Sequence, residues 1–458
     1  MSWAAEELKT VNLGDKRRNR RLIKIVEDLS AMPIASVTQA ARDGAAVQGI
    51  YEFWGNVRVG SNEILAAHRD STLARVEGQE LVLAVQDTTE LDFSSQPCKQ
   101  GLGALSKKDA HGLKVHSVLC VSPLGVPLGV LHQKVWAREK NRRTTGHQDR
   151  KRAIEQKESH RWLESLELTQ QWIPQDKQVV TVADREADIY ELFALPRREG
   201  SEFLIHACQP RGVKQTATDI DIKSLQEAIG QTAACGELTL ELQRTPKRKA
   251  RTATLTVRIS SLELQPPLHH PQRNSLKPVK VQVVWAIEEM PPVGEKAIAW
   301  LLLTTLEVTS LEQAERCLRW YTYRWLIERY HYTLKSGCRL EQLQLERADR
   351  LERALATYAI VAWRLLWLTY EARCHPEESI EGILPAHYWQ ALYCHIYQTT
   401  VLPNDPPTLA DCVRWIARLG GFLGRRQDGE PGVKTLWLGL QRLHDMASIW
   451  QLMVANAS

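Results

Sequence analysis

Four side chains that could act together on a charged ligand lie within one short segment, namely Tyr321, Arg324, Glu328 and Lys335. The segment from the first to the last of them contains no Gly or Pro, which predicts a helix. At about 100° per residue, all four side chains would lie within about 60° of one another, along roughly 20 Å of helix axis. A helix face with an acid, two bases and a phenol suits a ligand that is long, anionic and bridged by metal ions. Nucleic acid is such a ligand.

Two aspartates add a second chemical feature, because each follows a run of residues typical of a buried strand. Asp87 follows residues 81–86, and Asp184 follows residues 178–183. Ligands bind at the carboxyl edge of an open α/β sheet, where adjacent strands would bring the two carboxylates together. Clustered carboxylates repel one another unless a divalent cation neutralises them, and Mg²⁺ or Mn²⁺ suits such oxygen ligands.

Glu328 would complete a set of three acids if its helix packs on the same edge of the sheet. Three carboxylates with open coordination positions predict a site for two metal ions. Such a site activates a water or a hydroxyl group and stabilises the leaving oxygen of a phosphodiester. The residues therefore predict metal-dependent phosphodiester chemistry, with Asp87, Asp184 and Glu328 as both catalytic residues and metal ligands.

Each of these features also has a simpler interpretation. Asp87 with the two threonines after it would, alone, more often form a turn or a helix cap. The segment from Asp184 to Asp188 would serve as a self-paired helix start, and Asp188 competes with Asp184 as a ligand. Arg324 and Glu328 would form a routine pair at helical spacing, worth only a few tenths of a kcal/mol. The joint occurrence of all three features in this order favours the catalytic interpretation.

Composition sets the class of protein. The chain has 458 residues, 43% of them hydrophobic and 25% charged, which predicts a folded protein of two or three domains. The net charge of +5 is too small to indicate a nucleic-acid partner. Basic residues are nevertheless clustered at 16–21, 138–152 and 247–251, and each cluster fits a local DNA contact or a solvated surface equally well.

Cysteine usage and the hydrophobic runs indicate a compartment. The nine cysteines include no Cys-x-x-Cys spacing, which argues for a reducing environment and against structural zinc. Residues 1–9 are acidic and amphipathic, so no signal peptide is predicted. The longest apolar runs, 297–306 and 358–368, are too short or interrupted by Arg364 to span a membrane. A cytoplasmic protein is predicted.

The pattern along the chain predicts three domains: a helical domain over 1–75, an α/β domain over 76–365 and a second helical domain over 366–458. Within the α/β domain, the pattern predicts a hairpin over 115–135 and a strand-rich insertion at about 213–290. A single helix over 310–345 would carry Glu328.

These motifs together resemble the bacterial cut-and-paste insertion-sequence transposases with a DDE triad, in the subgroup marked by a Tyr-x2-Arg-x3-Glu-x6-Lys signature. The kanamycin-transposon enzyme belongs to that subgroup. Tyr321, Arg324, Glu328 and Lys335 match the four signature positions. Further likeness covers most of the chain, at residues 13–18, 87–89, 116–119, 184–189, 300–304 and 417–422.

The resemblance implies a fold and a set of roles. It implies an RNase H-like mixed-sheet catalytic core with a β-strand insertion, flanked by helical domains for end binding and for dimerisation. It implies that Asp87, Asp184 and Glu328 hold two Mg²⁺ or Mn²⁺ ions. It also implies a set of DNA-binding residues: Tyr321, Arg324, Lys335, Arg211 and, in the N-terminal domain, Arg17, Arg18, Arg20 and Arg21.

Trp300 resembles the aromatic residue that stacks on a flipped base, a contact worth roughly 1–3 kcal/mol. Its alternative role is to open a buried strand. At His206 and Tyr332 the chain departs from the relative that it resembles, which has arginine and lysine at these positions. Both departures predict a weaker grip on phosphate.

The predicted function is therefore a DNA transposase that hydrolyses transposon ends, forms and resolves hairpins, and transfers strands into target DNA. Its predicted partners are inverted-repeat ends, target DNA and a second protomer, at the nucleoid of a bacterial cytoplasm. Two alternatives stay open: a metal-dependent nuclease without strand transfer, and an inactive DNA-binding inhibitor of a related transposase.

Overall fold

The computed structural model describes residues 2–41, 43–139, 152–215, 221–222, 224–242, 250–268, 270, 273–425 and 428–457. Most of the predicted basic cluster at 138–152 and part of the one at 247–251 lie outside the described residues. The chain forms two compact units. The helical unit comprises Met1–Gly78, Thr88–Asn141 and Leu326–Ser458, and the sheet unit comprises Gln79–Asp87 and Arg142–Trp325.

The described α-helices are α1 (Trp3–Glu7), α2 (Lys16–Ala31), α3 (Val37–Ala41), α4 (Gly44–Gly55), α5 (Ser61–Glu77), α6 (His160–Trp172), α7 (Tyr190–Ala194), α8 (Leu225–Gly230), α9 (Leu311–Thr322), α10 (Trp325–Tyr332), α11 (Ala348–Cys374), α12 (Ala386–Tyr397), α13 (Leu409–Leu419) and α14 (Val433–Ala457). In the ranges that the structure describes, no helix combines the length and the apolar character needed to cross a membrane.

The described strands are β1 (Leu81–Asp92), β2 (Gly103–Ala104), β3 (His111–Val121), β4 (Pro127–Trp136), β5 (Gln178–Ala183), β6 (Ser201–His206), β7 (Val213–Gln215), β8 (Asp221–Ile222), β9 (Ala234–Leu242), β10 (Arg251–Leu264), β11 (Val279–Ile287) and β12 (Ala299–Thr304). The predicted hairpin is confirmed, because β3 and β4 pair antiparallel.

The sheet unit has a mixed sheet. β1, β5 and β6 are parallel neighbours, and β12, β11 and β10 extend the sheet antiparallel from β6. The strand-rich insertion predicted at about 213–290 is confirmed, and its strands continue this same sheet beyond β12. The predicted α/β class, a mixed sheet with helices, is therefore confirmed.

The core of the sheet unit explains why its central strands form. Val179, Val180 and Val182 of β5 are fully buried, as expected for a β-branched strand between two parallel neighbours. Trp162 and Leu166 on α6 lie in one buried cluster with residues of β6 and β12. At about 25 cal/mol per Å² of apolar surface removed from water, burial of such side chains is the main term that stabilises the sheet.

In the helical unit, α11 passes through the core. The Trp54 indole of α4 donates to Thr357 Oγ1 at 3.2 Å, and the Trp363 indole donates to the carbonyl of Pro127 at 2.9 Å. Arg353 is buried and donates to the carbonyl of Val59 at 2.7 Å. Through these contacts α4 and the loop after it pack on α11. Residues 1–75 thus share one compact unit with most of the C-terminal part of the chain, and residue 366 lies inside α11.

The prediction of one helix over 310–345 is wrong. α9 ends at Thr322, and the next two N–H groups bond to carbonyls three residues back: Tyr323 to Trp320 at 3.1 Å and Arg324 to Tyr321 at 3.0 Å. α10 then begins at Trp325. The aromatic and β-branched residues of this segment have only intermediate helix propensity, so tertiary contacts decide its path. The four signature residues therefore do not lie on one continuous helical face.

α10 leads into a π-helical turn over Thr333–Gly337, in which the Cys338 N–H bonds to the Thr333 carbonyl five residues back at 2.8 Å. Gly337 is required by close packing, because a Cβ atom at this position would lie 2.6 Å from the indole ring of Trp437. π-helical turns interrupt α-helices most often at functional sites. The turn contains Lys335.

A buried polar cluster joins α1 to α5. The Glu7 carboxylate is 5% exposed and accepts hydrogen bonds from the Arg75 guanidinium at 2.8 and 2.9 Å. His68 Nε2 accepts from the Val130 N–H at 2.9 Å, so its Nδ1–H donates to Glu7 at 2.6 Å. Burial alone would raise the pKa of Glu7, but the bonds and charges of His68 and Arg75 override it and lower the pKa to about 2.

Glu7→Gln is expected to destabilise the protein by up to about 3 kcal/mol near neutral pH, because the pKa of Glu7 is about 2 in the folded state and 4.5 without these contacts. A depressed carboxyl pKa stabilises above the unfolded pKa, and this gain is lost as pH falls from about 4.5 towards 2. Urea unfolding across this range checks the effect. Glu6→Gln, in an exposed pair with Lys9, is the control and should change little. The assignment would be contradicted if the two proteins still differed by the same free energy of unfolding at the acid end of the range.

Candidate active site

Asp87 and Asp184 lie at the same level of two adjacent parallel strands. The last register pair between β1 and β5 is Val85 with Val182, and each aspartate lies two residues further along. Neighbouring strands are about 4.8 Å apart and side chains alternate with a period of two, so both carboxylates project to the same face. The expectation that Asp87 ends its strand is wrong, because β1 continues to Asp92. The pairing of β1 with β5 ends before Asp87, whereas the strand itself continues.

Asp184 is held by its own backbone turn. Its carboxylate accepts the Glu186 N–H at 2.9 Å and caps the short 3₁₀ helix Arg185–Ala187. Burial raises the pKa of Asp184, and the charge of Asp87 raises it further, whereas the Glu186 N–H, Arg324 and Arg161 act in the opposite direction. Two half-buried carboxylates, one of which raises the pKa of the other, are a suitable donor set for a divalent cation. These two residues therefore fit a metal ion.

Arg161 is a charged residue at this site that the sequence did not indicate. It lies on α6, where it pairs with Glu186 at 2.8 Å. Burial lowers its pKa, while the charges of Glu186 and Asp87 oppose that shift. No motif or spacing relates a single arginine on a polar helix to two aspartates on distant strands. Only the packing of α6 could reveal it.

Tyr321, Arg324 and Trp300 lie together in the sheet unit. Tyr321 is buried, and its ring meets the ring of Trp300 edge-on at 6.0 Å. The Arg324 guanidinium lies 6.0 Å from the Tyr321 ring and 5.3 Å from the exposed ring of Trp325. Trp300 lies near the start of β12, directly before its buried residues, and is itself half-buried.

His206 contacts Tyr321 directly. Its Nδ1 lies 2.9 Å from the Tyr321 hydroxyl, and its Nε2 lies 3.3 Å from Arg185 Nη2. Burial lowers the pKa of His206 to about 4, and the charges of Arg185 and Arg324 act in the same direction. The imidazole is therefore neutral at neutral pH.

Arg211 forms a buried ion pair and does not face solvent. It is 7% exposed, and its Nε donates to Asp188 Oδ1 at 2.8 Å. The other carboxylate oxygen of Asp188 accepts the N–H groups of Cys208 and Gln209 at 2.7 and 2.6 Å. The Asp188 carboxylate thus holds the loop after β6 in place by hydrogen bonds. In this conformation the Arg211 guanidinium is paired with Asp188 and is not available to bind a phosphate.

Glu328 and Lys335 belong to the helical unit, which resumes at Leu326. Glu328 lies on α10 and is half-buried. Lys335 Nζ donates to the carbonyl of Glu90 at 2.8 Å and lies 3.8 Å from the Glu341 carboxylate. Tyr332 packs on Trp437, with ring centroids 5.4 Å apart. No set of three or more His, Cys, Asp or Glu residues in the described ranges is arranged to hold a metal ion.

The four N-terminal arginines lie on α2, which the Asp15 carboxylate caps by accepting the Arg17 N–H at 2.8 Å. Arg17 pairs with Asp15 at 3.0 Å, and Arg18 donates to the Leu13 carbonyl at 2.8 Å. Arg20 and Arg21 are exposed. α2 is amphipathic, because its buried residues are all apolar.

Family models match nearly the whole chain. A transposase DNA-binding model matches residues 1–59, and a transposase DDE domain model matches residues 70–364. A third model, the transposase Tn5 dimerisation domain, matches residues 360–449. The DDE match includes Asp87, Asp184 and Glu328.

Asp188→Asn is expected to destabilise the protein by about 3–5 kcal/mol, because it leaves the buried charge of Arg211 unpaired. Urea unfolding measures the effect. The control is Asp176→Asn, whose carboxylate is 70% exposed in a pair with Lys177 and should contribute less than about 1 kcal/mol. Equal stability of the two variants would show that the buried pair does not fasten the loop.

Proposed function

Because the chain belongs to the DDE transposases, enzymes that act on the phosphodiester bonds of DNA, we propose that it cuts transposon ends and joins them to a target DNA. The observation that supports the catalytic site best is the placement of Asp87 and Asp184 at one level of adjacent parallel strands. With Glu328 they form the proposed triad, on the proposed RNase H-like core.

Divalent metal ions are general cofactors of this family, and Asp87, Asp184 and Glu328 would hold two Mg²⁺ or Mn²⁺ ions. The desolvation of Asp184 and its repulsion by Asp87 support this assignment, because a cation relieves both. When bound, the ions supply Lewis acidity and neutralise charge at the reacting phosphodiester.

The surrounding residues would orient the DNA. Arg324 would hold a phosphate by charge and Tyr321 by its hydroxyl, beside the two aspartates. Lys335 would exchange its bond to the Glu90 carbonyl for a second phosphate. The half-buried ring of Trp300 would stack on a flipped base. Arg211 would reach DNA only after release from Asp188, so its proposed contact requires a rearrangement.

The proposed reaction has three stages. Water attacks the phosphodiester at the transposon end, and the bond to the 3′ oxygen breaks to leave a 3′-OH. That hydroxyl attacks a phosphodiester of the opposite strand, which forms a hairpin and releases the flanking DNA with a 3′-OH, and a second water then reopens the hairpin. The 3′-OH finally attacks a target phosphodiester, so that one bond forms as another breaks.

The regions flanking the core have supporting roles. The transposase DNA-binding match supports DNA as the partner of the N-terminal part, and we assign end recognition to residues 1–75 with Arg17, Arg18, Arg20 and Arg21. The dimerisation match supports pairing of two protomers by residues 366–458. Residues 76–365 would form the catalytic domain. On the full Tyr-x2-Arg-x3-Glu-x6-Lys signature we place the chain in the kanamycin-transposon subgroup, and we propose that it acts at the nucleoid of the bacterial cytoplasm.

The decisive experiment uses a labelled duplex made from the inverted repeats that flank the coding region, with Mg²⁺ and a target plasmid. Label joined covalently to the plasmid, with hairpin intermediates, is the expected result. Cleaved but unjoined ends would identify a nuclease without strand transfer. Binding without cleavage would identify an inactive inhibitor.

Glu328→Ala is expected to retain end binding and to lose cleavage by at least about a thousandfold, because a catalytic carboxylate acts in the transition state and not in DNA affinity. Gel-shift and single-turnover cleavage assays measure the two properties. Glu315→Ala, at an exposed position on α9, is the matched control and should cleave normally. Cleavage by the Glu328 variant at the wild-type rate would refute the triad.

Arg324→Ala and Lys335→Ala are each expected to weaken end binding. Each should also reduce the slope of log affinity against log salt concentration by about 0.9, because one phosphate contact is lost. Fluorescence anisotropy across a salt series gives the slope. Arg414→Ala, which removes an exposed pair with Glu430, should leave it unchanged. A wild-type slope in the first two variants would rule out these phosphate contacts.

A further inference from the structure

His206 lies between two side chains that come from different elements of the sheet unit. Arg185, directly after Asp184, approaches Nε2 of the imidazole, with Nη2 at 3.3 Å and Nε at 3.4 Å. Tyr321, on the last turn of α9, approaches Nδ1 with its hydroxyl at 2.9 Å. The His206 and Tyr321 rings meet edge-on at 90°, and both side chains are buried.

The chemistry of these groups fixes the direction of the hydrogen bonds. A guanidinium donates and never accepts, so Nε2 of His206 must be the acceptor. A neutral imidazole with an acceptor at Nε2 carries its proton on Nδ1. That proton can only be donated to the Tyr321 oxygen. Protonation at both nitrogens is disfavoured by burial and by the nearby charges of Arg185 and Arg324.

The Tyr321 oxygen then acts as the acceptor of this bond. The positive charge of Arg324 lies near the same phenol and opposes the rise in its pKa that burial causes. A phenol oxygen that accepts from the His206 Nδ1–H keeps its own proton available for donation to another group. The hydroxyl is close enough to Asp184 to feel its charge, which places it beside the paired carboxylates.

We propose that His206 is a positioning residue that directs the Tyr321 hydroxyl to act as a hydrogen-bond donor to a DNA phosphate oxygen at the reacting end. That the acceptor is a DNA phosphate rests on the proposed function. The direction of the hydrogen bonds among Arg185, His206 and Tyr321 rests on these residues alone. His206 contributes no charge at neutral pH. It acts by fixing the direction of the hydrogen bond to its neighbour, so its effect on DNA binding should not change with salt concentration.

The proton arrangement is tested without DNA. Nitrogen-15 NMR of histidine-labelled protein, with the His206 signals assigned by their loss in His206→Leu, reports which ring nitrogen is protonated. A protonated Nδ1 and an unprotonated Nε2 are expected. Protonation at Nε2, or at both nitrogens, would overturn the proposal, whatever the protein does to DNA.

The functional consequence is tested with two substitutions of matched shape. His206→Asn keeps a donor near the position of Nδ1, and His206→Leu has none. Affinity for the inverted-repeat duplex, measured in EDTA, is expected to fall about tenfold in the leucine variant and to be restored largely in the asparagine variant. The slope against salt should equal that of wild type in both variants.

The double substitutions with Tyr321→Phe separate positioning from general packing. In that background the asparagine and leucine variants should bind the duplex within about twofold of each other, because no hydroxyl remains to be directed. A tenfold difference that persists would show that His206 acts on DNA by another route and would overturn the proposal. Failure of the wild-type protein to bind the duplex would instead refute the proposed function, with the NMR result still deciding the bond orientation.

Discussion

The parallel pairing of β1 with β5 is the constraint on which the proposed site depends. It holds two aspartates that are 97 positions apart, Asp87 and Asp184, at one level and on one face. The pairing forms because both strands bury their apolar residues, and it keeps Asp87 close enough to raise the pKa of Asp184. The charges of Arg161 and Arg324 act on this pKa in the opposite direction. A divalent cation bound between the two carboxylates would relieve their repulsion.

Hydrogen-bond direction is the second organising principle of the site. Arg185, His206 and Tyr321 form a chain of hydrogen bonds. Because the Arg185 guanidinium donates to His206 Nε2, the Nδ1–H of His206 donates to the Tyr321 hydroxyl, which is left to donate its own proton. Asp188 and Arg211 fix the loop that follows His206. The two buried networks are adjacent in sequence, at 184–188 and 206–211. A rigid support of this kind keeps a binding group in place before its ligand arrives.

The break between α9 and α10 changes how the four-residue signature works. Tyr321 and Arg324 lie before or at the break and belong to the sheet unit, whereas Glu328 and Lys335 lie after it in the helical unit. A single straight helix would have held all four in fixed relation. The turn at 323–324 and the π-helical turn at 333–337 instead set the direction of each pair of side chains separately.

Much of the fold follows from local sequence patterns. Several elements carry their own periodicity, which is why the sequence predicts them: the strands at 81–86 and 178–183, the β3–β4 hairpin and the strand-rich insertion. The spacing of the signature residues likewise indicates which side chains matter. It cannot predict the interruption of the helix, because residues of intermediate propensity follow whatever tertiary packing favours.

The residue types, their order and the chemistry that they make available were determined by the sequence alone. Only the tertiary structure decided that Arg161 lies near the aspartates, that Arg211 forms an ion pair with Asp188, and that His206 contacts the Tyr321 hydroxyl. The physical reason is that these contacts join residues from separate elements. Such contacts leave no periodic trace along the chain, and they arise only when burial forces each polar group to find a partner.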